Sequence, residues 1–202
     1  MNLDEYMEKN FPNLLLTPPL FYNCEIGIRF ELGDPEEEND KVYLERVYHR
    51  SKTLFSAIND DNDDIFIVSH EVRKISEKRK GKRAKFFPSF VKVKNIKYRL
   101  QHSILPFDLQ DEEENEEWCT HRFSMKCHVK DVSVSRLIKA VFSTEIPWIY
   151  FVNSTKGTIF HIYDSRGCDL VATNKDAIEN IYIKYNDWIL NYDREKIDEL
   201  FK

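Results

Sequence analysis

Two stretches of this chain alternate apolar and polar residues with a period of two, and that alternation limits the folds open to it. In Cys24–Leu32 the even positions Cys24, Ile26, Ile28, Phe30 and Leu32 are apolar, whereas Glu25, Gly27, Arg29 and Glu31 are polar or small. Trp118–Val129 repeats the pattern, with Cys119, Phe123, Met125, Cys127 and Val129 on one side. A strand turns successive side chains to opposite faces, so each stretch is expected to bury one face and wet the other. Half-buried strands of this kind belong to antiparallel sheets; parallel sheets favour continuous apolar runs.

Helical spacing fills much of the rest. Residues 2–11 read as a short helix, with Asn2 as cap and Glu5 at the reciprocal capping-box position. Lys41–Ile58 carries the stripe Tyr43, Val47, Leu54 and Ile58, and Ser133–Ser143 carries Val134, Leu137, Ile138 and Val141. Thr173 is the expected cap of a helix bearing Ile178, Ile181, Tyr185 and Trp188, and Asp193 that of a terminal helix ending Ile197, Leu200, Phe201. Ile65–Val68 is apolar on both faces and reads as a central strand. Pro147–Asn153 and Thr158–Asp164 read as a hairpin around Ser154–Gly157, followed by a turn at Ser165–Asp169 and a short extended Leu170–Ala172. Phe86–Leu100 fits helix and strand equally. Strands mixed with helices predict an α+β fold, a single compact domain over 1–202 with a mainly antiparallel sheet, helices packed on it and two C-terminal helices. Residues 1–20 form its N-terminal helix and lead-in. At 42% apolar residues the chain has enough for a core.

Charge is divided unevenly. Residues 73–99 hold 12 Lys/Arg and one Glu, a balance of +11, while the rest of the chain stands at −16. Residues 73–85 are too basic for a core and are expected to form an exposed loop or hairpin tip. Residues 108–117 carry seven acids and read as an acidic loop, as do Asp34–Asp40 and Asp60–Asp64. No apolar run reaches the roughly 18 residues of a membrane span. The start, MNLDEYMEKNF, lacks the apolar core of a secretory signal. Cys24, Cys119, Cys127 and Cys168 match no disulfide framework, so four reduced thiols and a cytosolic location are expected.

Catalytic signatures are thin. The chain has no glycine-rich phosphate loop and no nucleophile elbow. His161, Cys168, Asp164 and Asp169 hold the residue types of a nucleophilic set around one turn, but Arg166 and Gly167 suit a tight turn and a structural turn is the preferred reading. Cys119 and His121 share a strand face, but Cys127 lies about 20 Å further along an extended strand, so no metal centre is expected. No cofactor is expected either.

The C-terminal third is the most specific. It runs Ile162-Tyr163-Asp164-Ser165-Arg166-Gly167-Cys168-Asp169, then Asn186-Asp187-Trp188-Ile189-Leu190-Asn191-Tyr192-Asp193-Arg194-Glu195-Lys196-Ile197-Asp198. With Arg29-Phe30-Glu31-Leu32-Gly33, these residues resemble a bacterial family of uncharacterised proteins, a domain of unknown function common in spore-forming Gram-positive bacteria. The family pattern is Y-D-x-R-G-x-D, then a terminal D-W-[IL]-L-x-Y-D-R-x-K-I-D. The resemblance spans about residues 24–202 and implies no activity. By analogy, small acidic proteins of such families neutralise a toxin encoded nearby.

Three functional expectations follow. The first is a non-catalytic cytosolic binding protein, of immunity or antitoxin type, that meets a basic protein through Asp111, Glu112, Glu113, Glu114, Trp118, Asp164, Arg166 and Asp169. Tyr150, Trp148 and Tyr163 are further candidate aromatic anchors. The alternative is nucleic-acid association through Arg73, Lys74, Arg79, Lys80, Lys82, Arg83 and Lys85, with Phe86, Phe87 and Phe90 available for stacking. A second alternative is an enzyme using the His161–Cys168 turn.

Overall fold

A computed structural model of the chain describes residues 1–76, 87–106, 117–143 and 148–202. Seven strands form one sheet: β1 (Gly27–Glu31), β2 (Asp64–Lys74), β3 (Gln101–Pro106), β4 (Trp118–His128), β5 (Ile149–Asn153), β6 (Thr158–Ile162) and β7 (Gly167–Ala172). Their order across the sheet is β1-β7-β6-β5-β2-β4-β3, and every neighbouring pair is antiparallel. The helices are α1 (Leu3–Asn10), α2 (Asp40–Ile58), α3 (Val134–Phe142), α4 (Asp176–Lys184) and α5 (Arg194–Leu200), with a further helical turn at Phe87–Phe90. The fold is α+β, as the mixture of periodicities predicts.

One sheet face packs against α2, α3 and α4. Ile28, Phe30, Ile67, Phe151, Phe160 and Leu170 project there, joined by Leu54 and Ile58 of α2 and Leu137 of α3. The Phe55 ring of α2 meets Phe151 edge-on, with centroids 4.9 Å apart. The opposite face of the sheet is covered as well, in keeping with the apolar residues expected on both faces of Ile65–Val68. Val68, Tyr150, Val152, Ile159 and Val171 point to it and are covered by Leu3, Tyr6, Leu16 and Leu20 of the N-terminal segment. Apolar residues on both sides of β2, β5, β6 and β7 require two covers, so the molecule has three layers.

Local chemistry explains the element ends and several departures from expectation. Asn2 and Glu5 close the predicted capping box. Asn39 caps α2 by accepting from the amides of Lys41 and Val42. Asn174, rather than Thr173, receives the Ala177 amide at the start of α4. The first strand begins at Gly27, because Leu20–Asn23 is a 3-10 turn that leaves Cys24 against the N-terminal layer. From Phe87 on, the undecided stretch holds the helical turn and a 3-10 segment (Lys94–Arg99), and the edge strand β3 begins just beyond it. The central strand is far longer than Ile65–Val68. It runs on to Lys74 because β4 pairs with it residue for residue, down to Lys74 opposite Trp118. Arg73 and Lys74 are therefore strand residues and not part of a basic loop.

Candidate functional site

Arg29 is where the three C-terminal and N-terminal sequence signatures meet. It stands on β1 opposite Asp169 of β7. Its Nε donates to Asp169 Oδ1 at 2.8 Å, and Nη2 to Oδ2 at 3.3 Å. Its Nη1 lies 3.6 Å from Asp193 Oδ2. The Tyr22 hydroxyl donates to the other Asp193 oxygen at 2.8 Å, and the Phe21 amide donates to Asp169 at 3.0 Å. Rings of Tyr22, Phe21 and Tyr163 surround the guanidinium, with centroids 4.6, 5.3 and 5.4 Å from Cζ. Burial is the largest single influence and opposes the charge of Arg29, but the hydrogen bond and charge of Asp169, with Tyr163 and Tyr22, together outweigh it and raise the pKa. Gly167 makes room for this arrangement: a Cβ there would lie 2.0 Å from Tyr163 Oη and 2.6 Å from the Phe30 carbonyl oxygen. Asp169 and Asp193 are buried at its centre while Tyr22 is exposed at its rim, and the cluster ties the 3-10 turn, β1, β7 and the C-terminal segment together.

Two predicted roles are corrected here. Asp169 was expected on an exposed partner-binding turn; it is a fully buried strand residue, consumed by Arg29 and Phe21. Asp193 occupies the cap position of α5, but its side chain makes no cap bond and turns to Tyr22 and Arg29 instead.

The exposed candidates collect elsewhere, at one end of the sheet. The ends of β1, β6, β2 and β3 lie there beside the starts of β7, β5 and β4. Asp164 and Arg166 form the β6–β7 turn, where Arg166 Nε donates to Asp164 at 2.8 Å and the Arg166 side chain is 81% exposed. Trp118 opens β4 and is half-buried; Lys74 Nζ sits 5.2 Å from its ring centroid. Lys74 also reaches Glu117 at 3.5 Å, and Arg73 pairs with Glu71. Asp34–Asp40 follows β1 at the same end, with Glu36, Glu38 and Asp40 exposed. Three to four strand spacings across the sheet and five residues along it, from Ser69 opposite Ile149 to Lys74 opposite Trp118, separate the Asp164 turn from Trp118, on the order of 25 Å in all. Asp111, Glu112, Glu113 and Glu114 lie outside the described residues, as do Arg79, Lys80, Lys82, Arg83 and Lys85. The residues flanking them are placed: Pro106 and Glu117 root the acidic segment on β3 and β4, and Ile75 donates its amide to the Glu117 carbonyl at 2.8 Å.

A family model described as Domain of unknown function (DUF3885) matches residues 3–193. The chain belongs to this family. A DUF3885 chain of this length also resembles the uncharacterized protein YnaE of Bacillus subtilis (strain 168). The two are 32% identical over 212 residues, covering 95% of this chain and 99% of that protein. No solved structure matches.

The His161–Cys168 pairing is overturned by register. His161 stands opposite Asp169, and Cys168 opposite Ile162, so their side chains leave the sheet on opposite faces. Burial also pushes the Cys168 thiol well above its ordinary range, which disfavours a thiolate. Cys119 and His121 find no third ligand, since no group of three His, Cys, Asp or Glu suits a metal among the described residues. His121 Nδ1 instead lies 2.9 Å from His102 Nε2.

The sequence gives no sign of the row that His161 joins. Across the covered face stand Arg29, Asp169, His161 and Tyr150 in register, with His70 diagonal to Tyr150. The His161 and Tyr150 rings stack with centroids 4.1 Å apart. His161 Nδ1 donates to the Ile149 carbonyl at 2.9 Å, which fixes its tautomer. Burial holds both His161 and His70 down at about 4, so both are neutral at neutral pH. Tyr150, a candidate anchor, is fully buried in this row and unavailable to a partner.

Proposed function

We propose that the chain is a non-catalytic, cytosolic protein-binding module that captures a basic protein partner on the acidic end of its sheet, as an immunity or antitoxin protein does. The shared end carries this reading. Trp118, the Asp164–Arg166 turn, the exposed Glu36, Glu38 and Asp40, and both roots of the acidic segment all lie there. Six carboxylates fall within the ten residues 107–116 between those roots, beside the six Lys/Arg of residues 77–86 that follow β2 at the same end. Clustered negative charge accelerates the encounter with a cationic protein, and an aromatic beside it supplies anchoring area. The Arg29 cluster and the histidine row serve the scaffold that holds this end in place.

Nucleic-acid association is less well supported. Arg73 and Lys74, the described members of that set, pair with Glu71 and Glu117 of the same chain.

The test is recovery of the tagged full chain from its native host at low salt. A parallel variant carries Asp111→Asn, Glu112→Gln, Glu113→Gln and Glu114→Gln. The expected result is a basic protein recovered with the unmodified chain, lost at high salt and lost from the variant. Recovery of nucleic acid without a protein, or equal recovery by the variant, would overturn the reading.

A further inference from the structure

The two covers of the sheet are attached to it differently. Helices α2, α3 and α4 alternate with strands along the chain, whereas residues 1–20 precede β1 and lie on the other face. Among the described residues, the backbone of that segment bonds only within itself. Two side chains link it to the sheet: the Tyr6 hydroxyl donates to the Asn153 carbonyl at 3.2 Å, and Asp4 pairs with Arg122 of β4 at 2.7 Å. The rest of its hold is apolar contact. The face beneath is not wholly apolar. His70, Tyr150 and His161 are buried on it, and His70 Nε2, Tyr150 Oη and His161 Nε2 have no hydrogen-bond partner. Such atoms cost free energy that contact with water returns. The charges around the row are already matched. Asp169 holds Arg29, and Asp4 holds Arg122 opposite His70. Farther out, Lys126 pairs with Asp64 and Lys74 with Glu117, while Asp193 and Lys196 stand around Tyr22. Burial raises Tyr6, Cys24 and Tyr163, which stay neutral.

We propose that residues 1–20 are a hinged cover that opens in acid and bares the sheet face beneath it, while the helical layer on the other face stays packed. The hinge lies at Phe21, whose amide donates to Asp169 and anchors the chain there. Opening brings water to both imidazoles and to the Tyr150 hydroxyl. Under the closed cover, a proton on His70 faces Arg122, and one on His161 faces an Asp169 already held by Arg29. Covered, both histidines are held at about 4; in water they titrate near about 6.5. The closed form is therefore favoured fully above that upper value and loses ground as pH falls toward the lower one. Between about pH 7.5 and pH 5 each histidine multiplies the open population by about 30. What opening exposes is the strip Val68, Tyr150, Val152, Ile159 and Val171. The inference is independent of the basic-partner reading, since it uses a different surface and needs no partner.

Hydrogen exchange of the full chain, read by mass spectrometry at about pH 7.5 and pH 5 and corrected for the pH dependence of free amides, tests it. Amides of α1 should be less protected than those of α2 at both pH values, and should lose protection by roughly 100-fold or more in acid. His70→Phe, which removes one of the two titrating groups and no hydrogen bond of Nε2, should shrink that loss about 30-fold. Protection of α2 at neutral pH reports whether the variant folds; if it does not, the comparison of α1 with α2 in the parent decides. Equal protection of α1 and α2 at each pH would mean one global unfolding and would overturn the proposal. So would a loss in α1 below about tenfold, or a folded His70→Phe chain with the full acid effect of the parent.

Discussion

Asp169→Ala should unfold this protein more readily than any surface change, because three hydrogen bonds end on one buried carboxylate. Arg29 Nε and Nη2 reach it at 2.8 and 3.3 Å, and the Phe21 amide at 3.0 Å. Truncation leaves the Arg29 guanidinium, 11% exposed, with Asp193 at 3.6 Å as its remaining charged partner. It also leaves the Phe21 amide without its acceptor. Breaking a buried pair on one side costs about 3–5 kcal/mol, and an orphaned amide about 1–3 kcal/mol, the two overlapping. A total of about 4 kcal/mol is a large share of a typical folding stability. In urea, with a slope of about 2 kcal/mol per molar, the midpoint should fall by about 2 M. The double replacement Arg29→Met with Asp169→Leu should cost less than Asp169→Ala alone, since no charge is then stranded. A loss below about 1 kcal/mol for Asp169→Ala, or strict additivity in the cycle, would refute the view that Arg29 ties these segments together.

Acid should destabilise the fold. His70 and His161 are held near 4 when folded, so an unfolded chain binds more protons between about pH 6.5 and 4. Their contribution is complete above that window and lost as pH falls through it, about 3 kcal/mol for each fully expressed shift. Urea midpoints from pH 8 to pH 4.5 should drop steeply, and His70→Phe should flatten the drop; a flat parent curve would contradict this. Gly167→Ala should cost about 2–3 kcal/mol in thermal unfolding, because the Phe30 carbonyl cannot move aside as a side chain could. Asn153→Asp should lower the melting temperature by roughly 10 °C. The Asn153 amide nitrogen donates to Asn59 at 2.9 Å and Asp63 at 2.8 Å, and a carboxylate there would face two acceptors. A shift within about 2 °C would count against that network.

What could be read in the sequence was whatever local chemistry decides. The Asn2–Glu5 capping box, the long amphipathic α2 and the Ser154–Gly157 hairpin depend on near neighbours, and they stand where their residues point. The Arg29 cluster was hidden because its members are 140 and 164 positions apart along the chain and meet only through strand order. Arg29 did leave a trace, as a charged residue on the face that alternation assigned to solvent. The second core was missed for a related reason. Residues 12–20 have no periodicity of their own, so only the finished sheet shows what Leu14, Leu16 and Leu20 cover. Basic composition misplaced Arg73 and Lys74, since backbone pairing with β4 and nearby carboxylates carry a strand through charged residues.

The most direct test of the acidic-end account is photo-cross-linking in the native host. One chain carries a photoreactive aromatic in place of Trp118, at the acidic end; another carries it in place of His128, exposed at the opposite end of β4. The account predicts a cross-link to a basic protein from position 118 and none from position 128. Equal cross-linking from both positions, or none from position 118, would contradict it.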